Sequence, residues 1–100
     1  MISIVIPTFN EIRNISEIIN QLLKLDFSSD LEIIIVDDNS SDGTADKVRQ
    51  LVHSDKRIRL INRVGRSGLS SAIKEGCLCA SGELVVVMAV SYTHLRAHET

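Results

Sequence analysis

Glu32-Ile33-Ile34-Ile35-Val36-Asp37-Asp38-Asn39-Ser40-Ser41-Asp42-Gly43-Thr44 is the stretch on which the reading of this chain turns. Ile33 to Val36 is β-branched at every position, which suits a strand covered on both faces in a parallel sheet. Such a strand would end at two adjacent carboxylates, Asp37 and Asp38, and enter a turn-rich loop. In open α/β sheets, ligands bind in the crevice outside the carboxyl ends of the strands. The acidic pair therefore either faces a ligand or merely caps the loop and the next helix, because Asp, Asn, Ser and Gly are ordinary turn residues. On this stretch alone both readings stay open.

Upstream, Ile2 to Ile6 predicts a short apolar strand ended by the only proline, Pro7, with Thr8-Phe9-Asn10-Glu11 as the loop beyond it. Asn14 and Glu17 have the spacing of a capping box, and Ile15, Ile18, Ile19, Leu22 and Leu23 recur on one helical face. Downstream, Asp42-Gly43-Thr44 opens a second helix with Ala45, Val48, Leu51 and Val52 inward and His53 as a solvated residue near its end. Ile58 to Ile61 predicts a third strand, and Arg63-Val64-Gly65-Arg66-Ser67-Gly68 a basic, glycine-containing loop. Leu69, Ala72, Ile73, Gly76, Cys77 and Ala80 then keep helical spacing, Ser81-Gly82 ends that helix, and Leu84 to Met88 predicts a fourth buried strand. The order βαβαβαβ predicts an α/β fold, a parallel sheet with flanking helices joined by right-handed crossovers.

One hundred residues suffice for one small domain, and 44% apolar with 24% charged residues is the balance of a globular chain. A formal net charge of -2 gives no electrostatic case for nucleic acid or for an anionic membrane surface. No apolar run approaches the roughly 20 residues of a membrane span. With no basic and apolar leader in view, a cytosolic setting is expected. Cys77 and Cys79, two apart in a helical pattern, point to different faces. They suit neither a disulfide nor a metal pair and are expected to be buried or neutral thiols.

After Met88-Ala89 the character of the chain changes. Val90-Ser91-Tyr92-Thr93-His94-Leu95-Arg96-Ala97-His98-Glu99-Thr100 has no helical or strand period, yet holds the only tyrosine and two of the three histidines. The string resembles the translation of a transposase-type sequencing adapter, so residues 90–100 are read as a non-native tail. The i, i+4 pair His94 and His98 is therefore not read as a zinc site. Residues 1–89 are expected to be the interpretable part of a longer protein.

Three features line up at successive strand ends: Pro7-Thr8-Phe9-Asn10-Glu11, then Asp37 to Thr44, then Arg63 to Leu69. In this order and spacing they resemble the nucleotide-sugar-binding half of family 2 glycosyltransferases with the GT-A fold. Within that family the likeness is to dolichyl- and polyprenyl-phosphate mannosyltransferases. It runs through Ile6-Pro7-Thr8-Phe9-Asn10-Glu11, through Val36-Asp37-Asp38-Asn39-Ser40-Ser41-Asp42-Gly43-Thr44, and through Gly68-Leu69-Ser70-Ser71-Ala72-Ile73-Lys74-Glu75-Gly76. It ends with Ala80-Ser81-Gly82-Glu83-Leu84-Val85-Val86-Val87-Met88.

The resemblance implies roles for particular residues. Pro7, Phe9 and Glu11 match a nucleotide-contacting loop whose aromatic packs near the base, with Phe9 where the family usually has tyrosine. Val36 and Asp38 match positions that meet base and ribose, while Asp37 is left to brace the loop. Arg63, Arg66 and the backbone at Gly65 and Gly68 stand where a basic turn would face the diphosphate, or would simply be a solvated loop. The family's D-x-D motif, which holds Mg²⁺ or Mn²⁺ on the diphosphate, would begin at position 89, where the tail intervenes. The implied activity is inverting transfer of a sugar, mannose from GDP-mannose, to a polyprenyl or dolichyl phosphate at the cytoplasmic face of a membrane. The fragment itself is expected to be inactive, with catalytic and metal groups downstream. Another family 2 enzyme, glucosylating a lipid carrier or building polysaccharide, is the near alternative. A non-catalytic nucleotide-binding or response-regulator-like module is the distant one. That class would want its acidic pair after the first strand and an Asp ending the third, where this chain has Pro7 and Asn62.

Overall fold

The computed structural model describes residues 1–25 and 30–88; the expectations for residues 26–29, for position 89 and for the tail after it lie outside the described residues. In chain order the elements are β1 (Ile2–Thr8), α1 (Ile15–Leu23), β2 (Leu31–Asp37), α2 (Thr44–Ser54), β3 (Ile58–Asn62), α3 (Leu69–Cys79) and β4 (Leu84–Val87). The described strands form one parallel sheet in the order β3-β2-β1-β4.

The β-branched run sits where its composition demands. β2 lies between β1 and β3, and all seven of its residues are buried. Successive side chains go to opposite faces of the sheet. Ile4, Ile6, Ile33 and Ile35 meet Ile15 and Ile19 of α1 and Val48 of α2, whereas Val5, Ile34 and Val36 meet Ala72 of α3. The steps β1 to β2 and β2 to β3 run one way across the sheet, and the step β3 to β4 runs back. With right-handed crossovers, that reversal puts α3 on the face opposite α1 and α2. A Cβ at Gly76 would lie 2.3 Å from Cγ1 of Val5 and 3.1 Å from Cγ2 of Val36, so glycine is what lets α3 lie this close to the sheet.

The amino-terminal edge of the sheet is closed by a polar network. Glu32 Oε2 accepts hydrogen bonds from Ser3 Oγ (2.6 Å) and the Ser81 amide (2.9 Å), and Oε1 accepts one from Arg59 Nη1 (2.8 Å). Ser3 Oγ in turn accepts the Gly82 amide at 2.8 Å, which ties the entry of β4 to β1. Burial alone would raise the Glu32 pKa, but the hydrogen bonds from Ser3, Ser81 and Arg59 outweigh it and hold the carboxyl below its ordinary range.

Four expectations change. Pro7 does not end β1, which pairs with β2 as far as Thr8↔Asp37. Asp38 N donates to Thr8 O and Met88 N to Val5 O, so alternate residues of β1 turn toward β2 and toward β4. Pro7 shares the parity of Val5, so its missing N–H faces the β4 side, beyond the last described pair, Val5↔Val87. Asn14 makes no side-chain cap, because its backbone is already in the helical region and its amide is taken up by the Glu11 carbonyl at 3.1 Å. β4 is exposed along its length, at 37 to 57%, because it is an edge strand and α3 packs mainly over β1 and β2. Of the two readings of Cys77 and Cys79, the buried one fails: both are free and exposed, since Ala72 and Gly76 form the inward side of α3.

Candidate functional site

Thr8, Asp37 and Asn62 stand in register across β1, β2 and β3, so three loops leave the carboxyl edge of the sheet side by side. Asp37 is fully buried at this edge. Its Oδ1 accepts hydrogen bonds from Thr8 Oγ1 and Ser40 Oγ, both at 2.7 Å, and its Oδ2 accepts the Ser40 amide at 2.9 Å. The first two loops are then stitched together. Asn10 N donates to Ser40 Oγ (2.8 Å), Ser41 N to Asn10 Oδ1 (3.0 Å), Glu11 N to Thr44 Oγ1 (2.9 Å) and Ile12 N to Asp42 Oδ2 (3.1 Å). Asn10 and Asn39 take left-handed backbone at φ 55 and 54, a region asparagine tolerates better than most residues.

Asp38, one residue beyond the strand, turns to the third loop. Arg63 Nε donates to Asp38 Oδ1 at 2.6 Å, and the Gly68 amide donates to Oδ2 at 3.1 Å. Gly68 has φ 114, which a residue with a Cβ would adopt only with strain. Arg63 Nη1 donates to Glu75 Oε2 at 2.8 Å and Nη2 to the Gly68 carbonyl at 3.2 Å. Arg66 reaches the same Glu75 at 3.0 Å from the solvent side. Burial alone would lower the Arg63 pKa, but its hydrogen bonds to Asp38 and Glu75 raise it, so the guanidinium stays charged. The same contact with Arg63, joined by Arg66, holds the Glu75 carboxyl below its ordinary range.

Between these loops lies an open cleft of about 300 Å³ lined by Phe9, Asp38, Asn39, Gly65, Arg66 and Ser67. Of the residues the sequence singled out, Phe9, Asp38, Gly65 and Arg66 meet there. Pro7 and Val36 are register partners, buried in the strands behind the cleft. Glu11 is buried beside Asn14, whose Nδ2 donates to its carboxylate at 3.4 Å, and it does not line the cleft. Arg63 is the correction. Read either as facing a diphosphate or as part of a solvated loop, it does neither: it is 0% exposed, because two carboxylates and a carbonyl draw its guanidinium inward. Glu75 carries no role of its own in the sequence; on α3 it reads as one of several surface charges, and only the fold brings it to Arg63.

The cleft thus offers an aromatic ring, a carboxylate with one hydrogen bond to each oxygen among the described residues, and an exposed guanidinium. A carboxylate can accept about four hydrogen bonds, so Asp38 retains acceptor capacity for a ligand's donors. A flat polar ring carrying an anionic group is the chemistry this set suits. Among the described residues no group of three His, Cys, Asp or Glu could hold a metal ion, and Asp37 spends its oxygens on Thr8 and Ser40.

Comparison with known proteins agrees in sequence and in shape. The chain is 37% identical over 93 residues to a dolichol-phosphate mannosyltransferase of Pyrococcus furiosus, covering 93% of this chain and 26% of that protein. It is 34% identical over 95 residues to the Saccharomyces cerevisiae protein of the same name, covering 92% of this chain and 36% of that one. The chain therefore spans about a quarter to a third of the length of these relatives. Among solved structures it resembles the mannosyltransferase PcManGT from Pyrobaculum calidifontis in complex with GDP-Man and Mn²⁺. That match has a TM-score of 0.77 at 30% identity, over 84% of this chain and 25% of that one. It also resembles S. aureus TarS 1-349 in complex with UDP, with a TM-score of 0.78 at 28% identity over 88% of this chain and 26% of that one. The family described as Glycosyl transferase family 2 matches residues 3–90. With its parallel sheet, its flanking helices and this match along most of its length, the chain belongs to glycosyl transferase family 2.

Proposed function

We propose that this chain is the donor-binding part of an inverting glycosyltransferase that moves mannose from GDP-mannose to a polyprenyl or dolichyl phosphate. The observation that carries the reading is the cleft at the strand ends, where Phe9, Asp38 and Arg66 meet in a family 2 fold. The base would pack on the Phe9 ring. Asp38 would accept from base or ribose donors, and Arg66, 58% exposed, would swing from Glu75 toward the diphosphate. In the transfer, an acceptor phosphate oxygen attacks the anomeric carbon from the face opposite the leaving group. The bond from that carbon to the diphosphate breaks, and its electron pair leaves with GDP. The longer enzyme would use Mg²⁺ or Mn²⁺, with ligands outside the described residues. It would work at the cytoplasmic face of the membrane that holds its lipid acceptor, without nucleic acid as a partner.

The relatives' name and the GDP-Man complex support mannose, while TarS, solved with UDP and with UDP-GlcNAc, keeps a uridine donor as the second reading. Calorimetric titration of the full-length protein with GDP-mannose and with UDP-glucose, each with Mn²⁺, separates the two. Tighter binding of GDP-mannose is expected, and equal or reversed affinities would overturn the guanosine donor. The chain of residues 1–100 is expected to catalyse no transfer, and measurable product from it would refute the assignment of the acceptor groups to the missing part.

A further inference from the structure

Arg63 heads the fully buried side chains by size, and nothing in the proposed reaction requires it. Its backbone continues the sheet, with Arg63 N donating to the Asp37 carbonyl at 2.8 Å. From that fixed root its guanidinium reaches Asp38, Glu75 and Gly68 at once, linking β2, the third loop and α3. A buried cation shared between carboxylates contributes little net stability compared with apolar packing of the same volume. Its distinguishing property is geometric, because the planar guanidinium fixes the orientation of whatever it binds.

We infer that Arg63 is a positioning residue for nucleoside recognition: it holds the Asp38 carboxylate and the Gly68 turn in the arrangement that receives the base and ribose. The inference rests on the proposed reading of the cleft as a nucleoside diphosphate site. Asp38 Oδ1 is held from the protein side by Arg63 and Oδ2 by the Gly68 amide, whose own carbonyl is gripped by Arg63 Nη2. One side chain thereby fixes both oxygens, directly and through the turn. Asp38 also lines the cleft, so its remaining acceptor capacity is available to a ligand bound there. Arg66, exposed on the far side of Glu75, is the group left to meet an anion. Nucleoside selection and anion attraction are thus assigned to two different arginines of one loop.

Arg63→Lys keeps the charge and loses the three-way span. The test measures guanosine, GDP and inorganic pyrophosphate binding to the wild-type chain and this variant, with uridine and UDP as controls. Guanosine and GDP affinity should fall about tenfold, the low end of what one charge-assisted hydrogen bond is worth, with pyrophosphate unchanged. In a double-mutant cycle, the variant carrying both Arg63→Lys and Asp38→Asn should lose no more affinity in total than Asp38→Asn alone, because both changes act through one carboxylate. Equal weakening of pyrophosphate and guanosine, or additive losses in the cycle, would overturn the inference and leave the nucleotide site standing. Failure of the wild-type chain to bind any of the nucleosides or nucleotides would overturn the site and the inference together. Should Arg63→Lys not fold, the Arg63 Nε–H resonance of the wild-type protein gives the answer. It should shift with guanosine and stay in place with pyrophosphate, and the opposite pattern would overturn the proposal.

Discussion

Each edge of this sheet carries a buried carboxylate held by an arginine, and the two edges do different work with it. At the amino-terminal edge Glu32 takes Ser3, Arg59 and the Ser81 amide, and Ser3 passes the tie to Gly82. Those bonds join β1, β2, β3 and the turn into β4, and Glu32 is not among the residues that line the cleft at the carboxyl edge. At the carboxyl edge Asp38 takes one donor on each oxygen and faces the cleft beside Phe9 and Arg66. A buried acid–arginine pair is therefore not by itself a sign of function. What distinguishes the two is unused acceptor capacity next to open space, as the chemistry of buried polar groups requires.

The largest test of this contrast removes Glu32. Glu32→Ala leaves Ser3, Ser81 and part of Arg59 without an acceptor and should cost about 2–3 kcal/mol of stability, leaving nucleotide affinity per folded molecule unchanged. Urea unfolding together with GDP titration checks both halves, and a loss of affinity would erase the difference between the edges. Asp38→Asn should act the other way round. It would lower nucleoside affinity about tenfold while costing roughly 1 kcal/mol of stability, measured by the same pair of experiments.

A pH series sharpens the comparison further. Because the folded Glu32 carboxyl lies below its ordinary value of 4.5, its contribution to stability is present above that value and fades as the pH falls through the folded pKa. The stability gap between wild type and Glu32→Gln, followed by thermal melts, should therefore close on acidification below about pH 4.5. A constant gap would show that the carboxylate charge is not what holds the amino-terminal edge. The smallest effect belongs to Phe9→Tyr at the rim. Phe9 is 50% exposed, so stability should stay within about 0.5 kcal/mol, and a new hydroxyl near the base should raise GDP affinity by no more than about tenfold.

Much of this was written in short-range patterns. The β-branched run Ile33 to Val36 pointed to a doubly covered central strand, since a parallel sheet with helices on both faces buries such a run. The alternation of short apolar runs with helical periods determined the element order, and the acidic pair after Val36 placed a candidate site at the strand ends. The family resemblance singled out Phe9, Asp38, Gly65 and Arg66 residue by residue, and these four meet in one cleft.

The tertiary structure decided what depends on partners distant in sequence. Asp37 and Asp38 are neighbours of the same type, and they part because Asp37 ends the strand opposite Thr8 while Asp38 has already turned toward Arg63. The apolar run of β4 looks like that of β2, yet its burial depends on which elements lie over it, and that is a property of the sheet order. Arg63 reads as a loop cation until Asp38, 25 positions earlier, and Glu75, 12 positions later, arrive on either side of it. Local periodicity determines which elements form, because it is read within a turn or two of the chain. The direction in which a charge faces is decided by the opposite charges the fold brings near it.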